Sequence, residues 1–163
     1  MLSKCPIDFI SIHARTKVQG YSAPVNLTRL AEAVDLLPYP VIGNGDIWNV
    51  EDAMTMLKET GVAGLMCGRG AVSNPFLFSE IKSVINNQQE VKRTRVDLMK
   101  FVIKLFKKYK LVEEQTKKRY IGCAKELCVW LSKNPLMGKE FFQSIKRMNN
   151  LDEIIVFLEK EIK

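Results

Sequence analysis

The hydrophobic period of this chain changes once, near Gln88–Gln89, and that change limits the possible folds more than any other feature. Before it, short apolar runs alternate with amphipathic stretches. Ile7–Ile12 reads as a buried strand running into the polar cluster His13–Thr16. Asn26 to about Leu37 reads as a helix with Leu27, Leu30, Ala31 and Val34 on one side. Pro40–Gly43 and Val62–Cys67 read as further short strands. Val50–Thr60 reads as a helix closed by Gly61, and Pro75–Val84 as a third helix with proline near its first turn. Strand, loop and helix repeated three times imply parallel β-α units with right-handed crossovers. After Glu90 the period is helical throughout, over about Thr94–Tyr109, Glu113–Ser132, Lys139–Asn149 and Leu151–Ile162, with Asn134-Pro135 breaking the second stretch from the third. The expected architecture is α/β over residues 1–88 and an all-α helical bundle over 89–163.

Charge divides at the same place. Residues 1–87 carry seven Lys/Arg against eight Asp/Glu, whereas residues 88–163 carry eighteen against ten. Between Lys92 and Arg119, eleven basic residues face only Asp97, Glu113 and Glu114. Such asymmetry suggests a second module attracted to a polyanion, although a solvated helix face explains a charge run equally well. Lys100, Lys104, Lys107 and Lys108 fall at helical spacings of three and four, which gathers them on one stripe. Phe101, Val102, Leu105 and Phe106 are expected to pack inward from the positions between.

Composition sets the outer bounds. At 47% hydrophobic and 26% charged residues the chain can build a core and is no disordered polyelectrolyte. No apolar run approaches the roughly 18 residues of a membrane span, and the N-terminus lacks a secretory pattern. Cys5, Cys67, Cys123 and Cys128 match neither a zinc motif nor a C-x-x-C pair, so reduced thiols in a cytoplasmic protein and no metal site are expected.

In parallel α/β folds ligands bind at the carboxyl ends of strands. The unusual residues cluster there: His13-Ala14-Arg15-Thr16 after the first strand, Gly43-Asn44-Gly45-Asp46 after the second, Gly68-Arg69-Gly70 and Asn74-Pro75 after the third. Glycines let backbone approach a ligand, and free N–H groups beside Arg69 suit a phosphate. Taken singly, each fragment is a common turn. Three at successive strand ends point to a site.

The same strings carry a resemblance. His13–Thr16 with Gly20-Tyr21, then Pro40–Ile47, then Gly64–Ala71 with Asn74-Pro75-Phe76, resemble the sixth, seventh and eighth strand-loop segments of tRNA-dihydrouridine synthases. Lys125-Glu126-Leu127, Trp130-Leu131, Phe141-Phe142 and Ile145-Lys146 are similar, more loosely, to that family's tRNA-binding domain. The resemblance implies the last three β-α units of an FMN-binding TIM (β/α)8 barrel followed by helices that hold tRNA. It assigns FMN contacts to His13, Asn44, Gly45, Asp46, Gly68 and Arg69, with the last two on the phosphate, and sets Arg15 near the RNA entrance. Lys100, Lys104, Lys107 and Lys108 would then meet RNA phosphates. The implied reaction is reduction of a tRNA uridine by FMN, with NADPH as reductant.

A full barrel takes about 200–250 residues. In the family, the earlier strands supply a lysine and a loop cysteine that protonates the substrate. None of the four cysteines here stands in that cysteine's position: Cys5 precedes its strand, Cys67 lies inside the third, and the other two belong to the helices. No catalytic residue is therefore expected in this chain. Three parallel strands alone would expose an edge, inviting self-association or a chain that supplies the other strands. Three alternatives stay open: a non-catalytic RNA-binding remnant, an FMN barrel oxidoreductase acting on a small molecule, and an α/β scaffold with no ligand whose glycines are mere turns.

Overall fold

A computed structural model describes residues 6–89 and 91–162. The chain divides into two compact units, Met1–Glu90 and Val91–Lys163.

The first unit contains a three-stranded parallel sheet: β1 (Ile10–His13), β2 (Val41–Asn44) and β3 (Gly64–Met66), in the order β1-β2-β3. Two strands, β1 and β3, are shorter than the apolar runs suggested, since Ile7–Phe9 and Val62–Ala63 form no register pairs with β2 and Cys67 lies just past β3. Strand β2 keeps its expected length and is shifted one residue onward to Asn44. Helices α1 (Leu27–Leu36), α2 (Val50–Thr60), α3 (Arg69–Ser73) and α4 (Leu77–Ile85) complete the unit. Asn26 caps α1 by accepting the Arg29 N–H, and Asn49 with Asp52 forms a reciprocal capping box on α2. Gly61 closes α2 in the left-handed conformation, as its position in the sequence suggested.

Alternation along the strands sorts their side chains onto two faces. Register pairs Ile10 with Val41 and Ile12 with Gly43, and these turn toward the helices, where Leu30, Ala53, Met56, Leu77 and Ile81 are buried. The opposite face presents Ser11, Ile42 and Gly64, then a row at the carboxyl ends made of His13, Asn44 and Met66. Only β2 is paired on both sides among the described strands.

The described part of the second unit is entirely helical: α5 (Arg95–Thr116), α6 (Ile121–Leu131), α7 (Glu140–Ile145) and α8 (Leu151–Glu161). Its core joins Leu98, Val102 and Phe106 of α5, Cys128 and Leu131 of α6, Ile145 of α7, and Ile154 and Leu158 of α8. Four sequence expectations are corrected. The second helix starts at Ile121 and not at Glu113. The first long helix does not stop at Tyr109 but continues to Thr116, since nothing in Leu111–Thr116 breaks it. It ends where Lys117 turns left-handed (φ 58°) and Tyr120 donates its N–H to the Glu113 carboxylate. The third helix stops at Ile145, because Asn150 accepts from the Glu153 N–H and starts α8. Phe101 is 40% exposed rather than inward, being about 100° around α5 from the buried Val102.

Candidate functional site

Three loops leave the row His13, Asn44 and Met66 and enclose a cavity of about 260 Å³. All six residues that the resemblance assigned to a cofactor line it: His13, Asn44, Gly45, Asp46, Gly68 and Arg69, joined by Tyr21 and Trp48. The sheet sets the geometry. His13 Nδ1 lies 3.1 Å from the Asn44 carbonyl, so in neutral histidine that nitrogen carries the proton and donates. The Asn44 amide in turn donates to the Met66 carbonyl, which ties the end of β2 to the end of β3.

The loop after β2 is shaped by its backbone. Gly45 has φ 126°, a conformation L-residues avoid, and a Cβ there would stand 2.4 Å from Val25 and 2.9 Å from the His13 ring. Asp46 follows, also at positive φ (51°). The loop after β3 then docks on this one. A Cβ on Gly70 would lie 2.0 Å from the Ile47 carbonyl oxygen, so only glycine lets α3 sit this close. That contact brings Arg69, the first residue of α3, beside Asp46. The sequence pattern did not show this short helix.

Charge is concentrated at the junction. Arg15 donates from both terminal nitrogens to the two Asp46 carboxylate oxygens, and from Nε to the Ala23 carbonyl at 2.6 Å. Its side chain is only 4% exposed. Arg69 Nη2 approaches the same carboxylate at 3.2 Å, with its guanidinium carbon 4.1 Å from the Tyr21 ring centre and 5.2 Å from the Trp48 ring. Such separations are those of cation–π contacts. Arg15 lines a second hollow, of about 310 Å³, between its own loop and the start of α1. The aromatic pair was not legible as a site in the sequence. Tyr21 appeared only as part of a motif and Trp48 not at all, since a cation–π partner has no spacing rule.

A different arrangement marks the second unit. Lys100, Lys104, Lys107 and Lys108 are all exposed on one side of α5, bordering an open groove of about 480 Å³ shared with Glu159 and Ile162. Lys107 pairs with Glu159 at 2.7 Å, and Lys110 with Asp152, so α8 supplies acids that a count along Lys92–Arg119 misses. The Asp152 hydrogen bond holds the Lys110 ammonium charged to higher pH than usual.

The described cysteines stand apart from the cavity. Cys67 packs half-buried against the helix-covered core, and burial raises its thiol pKa. Cys128 is buried in the second unit and pushed up to about 12 by the same cause. Cys123 is exposed on α6, and the Cys5 expectation lies outside the described residues.

Parallel α/β folds as a class bind ligands at the carboxyl ends of their strands, the edge at which this unit carries its glycine loops and Arg69. The chain is a member of the dihydrouridine synthase (Dus) family, whose profile matches residues 1–163. It is similar to "tRNA-dihydrouridine(16) synthase" of Pseudomonas syringae, 32% identical over 149 residues, covering 91% of this chain and 46% of the relative. The protein of that name in Shewanella oneidensis is 46% identical over 74 residues, covering 45% of this chain and 24% of the relative. A "Probable tRNA-dihydrouridine synthase" of Aquifex aeolicus is 42% identical over 81 residues, covering 50% of this chain and 26% of the relative. The chain thus spans less than half the length of each of these relatives. No described helix is long and apolar enough to cross a membrane.

Proposed function

We propose that the chain is the cofactor-phosphate and tRNA-holding part of a tRNA-dihydrouridine synthase, an oxidoreductase that reduces uridine in tRNA. The gathering of His13, Asn44, Gly45, Asp46, Gly68 and Arg69 in one cavity carries this reading. FMN fits the residues present. A Cβ on Gly68 would meet nothing within 4 Å, so its backbone is open to a phosphate, and Arg69 offers charge-assisted donors beside it. At about 260 Å³ the cavity is smaller than most whole-ligand pockets, so this chain holds one end of the cofactor. The three strands are read as the last three of a (β/α)8 barrel. Ser11, Ile42 and Met66 then face its interior, and the free edges of β1 and β3 take the remaining strands.

FMN, reduced by NADPH, supplies hydride chemistry to the uracil ring. What this chain contributes is position: Arg69 and the Gly68 backbone fix the phosphate, Asn44 locks two strand ends together, and His13 is held by the Asn44 carbonyl. A uracil must leave its stack to reach a barrel mouth, so tRNA has to be gripped elsewhere. We assign that grip to Lys100, Lys104 and Lys108, with Lys107 shared with Glu159. The relatives that match 89–93% of this chain, and so reach through the helical unit, bear the number 16 in their names, which favours the uridine at position 16 as target. A tRNA substrate also favours a cytoplasmic location.

Two titrations test the reading on the full chain. Flavin fluorescence should be quenched saturably by the parent and far less by Arg69→Ala. Filter binding of tRNA should weaken steeply as salt rises. A chain that leaves flavin fluorescence unchanged, yet retains salt-dependent tRNA affinity, would instead support the RNA-binding remnant. That second reading is favoured by the one observation that no described cysteine lines the cavity.

A further inference from the structure

Arg15 sits deeper than any RNA contact should. A guanidinium that is 4% exposed must have its donors satisfied, and here the partners are specific. Its two terminal nitrogens take both oxygens of Asp46, and Nε takes the Ala23 carbonyl. This fork-to-carboxylate geometry fixes the plane of the carboxylate as well as its position. Asp46 Oδ1, set in that plane, then accepts from Arg69 Nη2 at 3.2 Å, while Tyr21 lies against the face of the same guanidinium.

We propose that Arg15 is a positioning residue: acting through Asp46, it fixes the Arg69 guanidinium at the cavity, and it touches neither the ligand nor RNA. The charge arrangement agrees with this. A lone carboxylate beside a phosphate site would repel its ligand, whereas one carboxylate between two guanidinium groups leaves a net positive charge. Lysine cannot replace Arg15, because an ammonium ion is a point charge that does not define a carboxylate's plane. Arg15 lines the neighbouring hollow and is not among the residues that line the cavity.

The test has one arm without ligand and one that rests on the FMN reading. In the unaltered, ¹⁵N-labelled full chain, the Arg69 Nε–Hε group should show the heteronuclear NOE of a fixed side chain. A mobile Arg69 there overturns the proposal. In Arg15→Lys, provided helical circular dichroism is retained, that group should become mobile while resonances of the second unit stay in place. A folded Arg15→Lys with Arg69 still fixed also overturns it. If that variant does not fold, Asp46→Asn, which keeps one acceptor oxygen for Arg15, is read by the same criterion.

In the second arm, Arg15→Lys should weaken FMN binding by roughly tenfold, part of what losing the whole charge-assisted contact would remove. Riboflavin lacks the phosphate, so its affinity, however weak, should be the same for variant and parent, and the Arg15→Lys effect on FMN should vanish in an Arg69→Ala background. Equal losses for FMN and riboflavin would reduce Arg15 to a general structural role and sink the proposal. A parent that binds neither flavin would count against the FMN reading alone, leaving the NMR arm to decide on Arg15.

Discussion

In the first unit two arginines, Arg15 and Arg69, converge on one carboxylate, with the Ala23 carbonyl as a further acceptor for Arg15 and aromatic rings beside Arg69. In the second, Lys100, Lys104 and Lys108 project from one side of α5 into solvent, and Lys107 answers to a single acid on α8. The first arrangement obtains selectivity from orientation: few charges, each with a defined direction. The second obtains attraction from number, and screening by salt erodes it. A phosphate at the end of a small molecule calls for the former and a long polyanion for the latter. On the proposed function, the two halves of this chain would divide one chemical task, recognition of phosphate, by length scale.

The largest effect expected from breaking this contrast is on the lysines. Lys100, Lys104 and Lys108 changed together to Ala should flatten the salt dependence of tRNA binding. At about 0.9 counterions per phosphate contact, roughly 40-fold of the affinity change between 50 and 200 mM salt should disappear. Filter binding across a salt series measures it, and a slope equal to the parent's would return the stripe to a solvated face. FMN affinity in the same variant should not move.

Next comes the oriented charge. Arg69→Ala should weaken FMN by about 1.5–3 kcal/mol at any moderate salt, read by fluorescence titration. An affinity that instead fell away with ionic strength in the parent would erase the distinction between the units.

Backbone geometry gives a third comparison. Gly45 and Gly138 both have positive φ, but a Cβ on Gly45 would strike Val25 and His13, while one on Gly138 meets nothing within 4 Å. Gly45→Ala, where backbone strain and overpacking add, should therefore destabilise its unit by about 2–5 kcal/mol, and Gly138→Ala by about 1–2 kcal/mol. Urea unfolding followed by circular dichroism separates them. Similar losses would mean that the loop after β2 yields more easily than its contacts imply.

The smallest effects belong to exposed features of α5. Thr94→Ala removes an N-cap and should cost about 1 kcal/mol. The Thr94 N–H and hydroxyl hold the Asp97 carboxyl below its ordinary value of 3.8. A group whose folded pKa is depressed stabilises above its unfolded pKa and loses that contribution as pH falls. The cap should therefore weaken only below about pH 4. Lys107→Ala should change stability by about 0.2–1 kcal/mol, as exposed ion pairs do, which is seen best by comparing midpoints at low and high salt.

The sequence made the strand-loop-helix rhythm legible because burial imposes a period, and period survives in one dimension. It also marked the loops that meet at the cavity, since His13 at one strand end and glycines flanking Asn44 and Arg69 at the next two are uncommon together. It hid whatever depends on a partner far along the chain. Arg15 reads as a residue near the RNA entrance until Asp46 is seen to accept from both its terminal nitrogens. Lys107 looks unopposed until α8 folds back with Glu159. The extension of α5 to Thr116 was missed for a related reason: the stop is a left-handed lysine, a residue that seldom ends helices and so gives no signal.

The three members of the Arg15, Asp46 and Arg69 cluster come from the loops after three different strands, and each pair of neighbouring strands is joined by a helical crossover. Contacts of such long sequence separation close late, after the chain has met the entropy of each loop. The cluster is therefore expected to act as a clock for the first unit. Trp48, with its ring beside Arg69, should change its emission in the slowest refolding phase, when helical signal from α5 to α8 has already returned. On the proposed function, a refolding chain would thus regain its grip on a polyanion before it could hold a small phosphate ester.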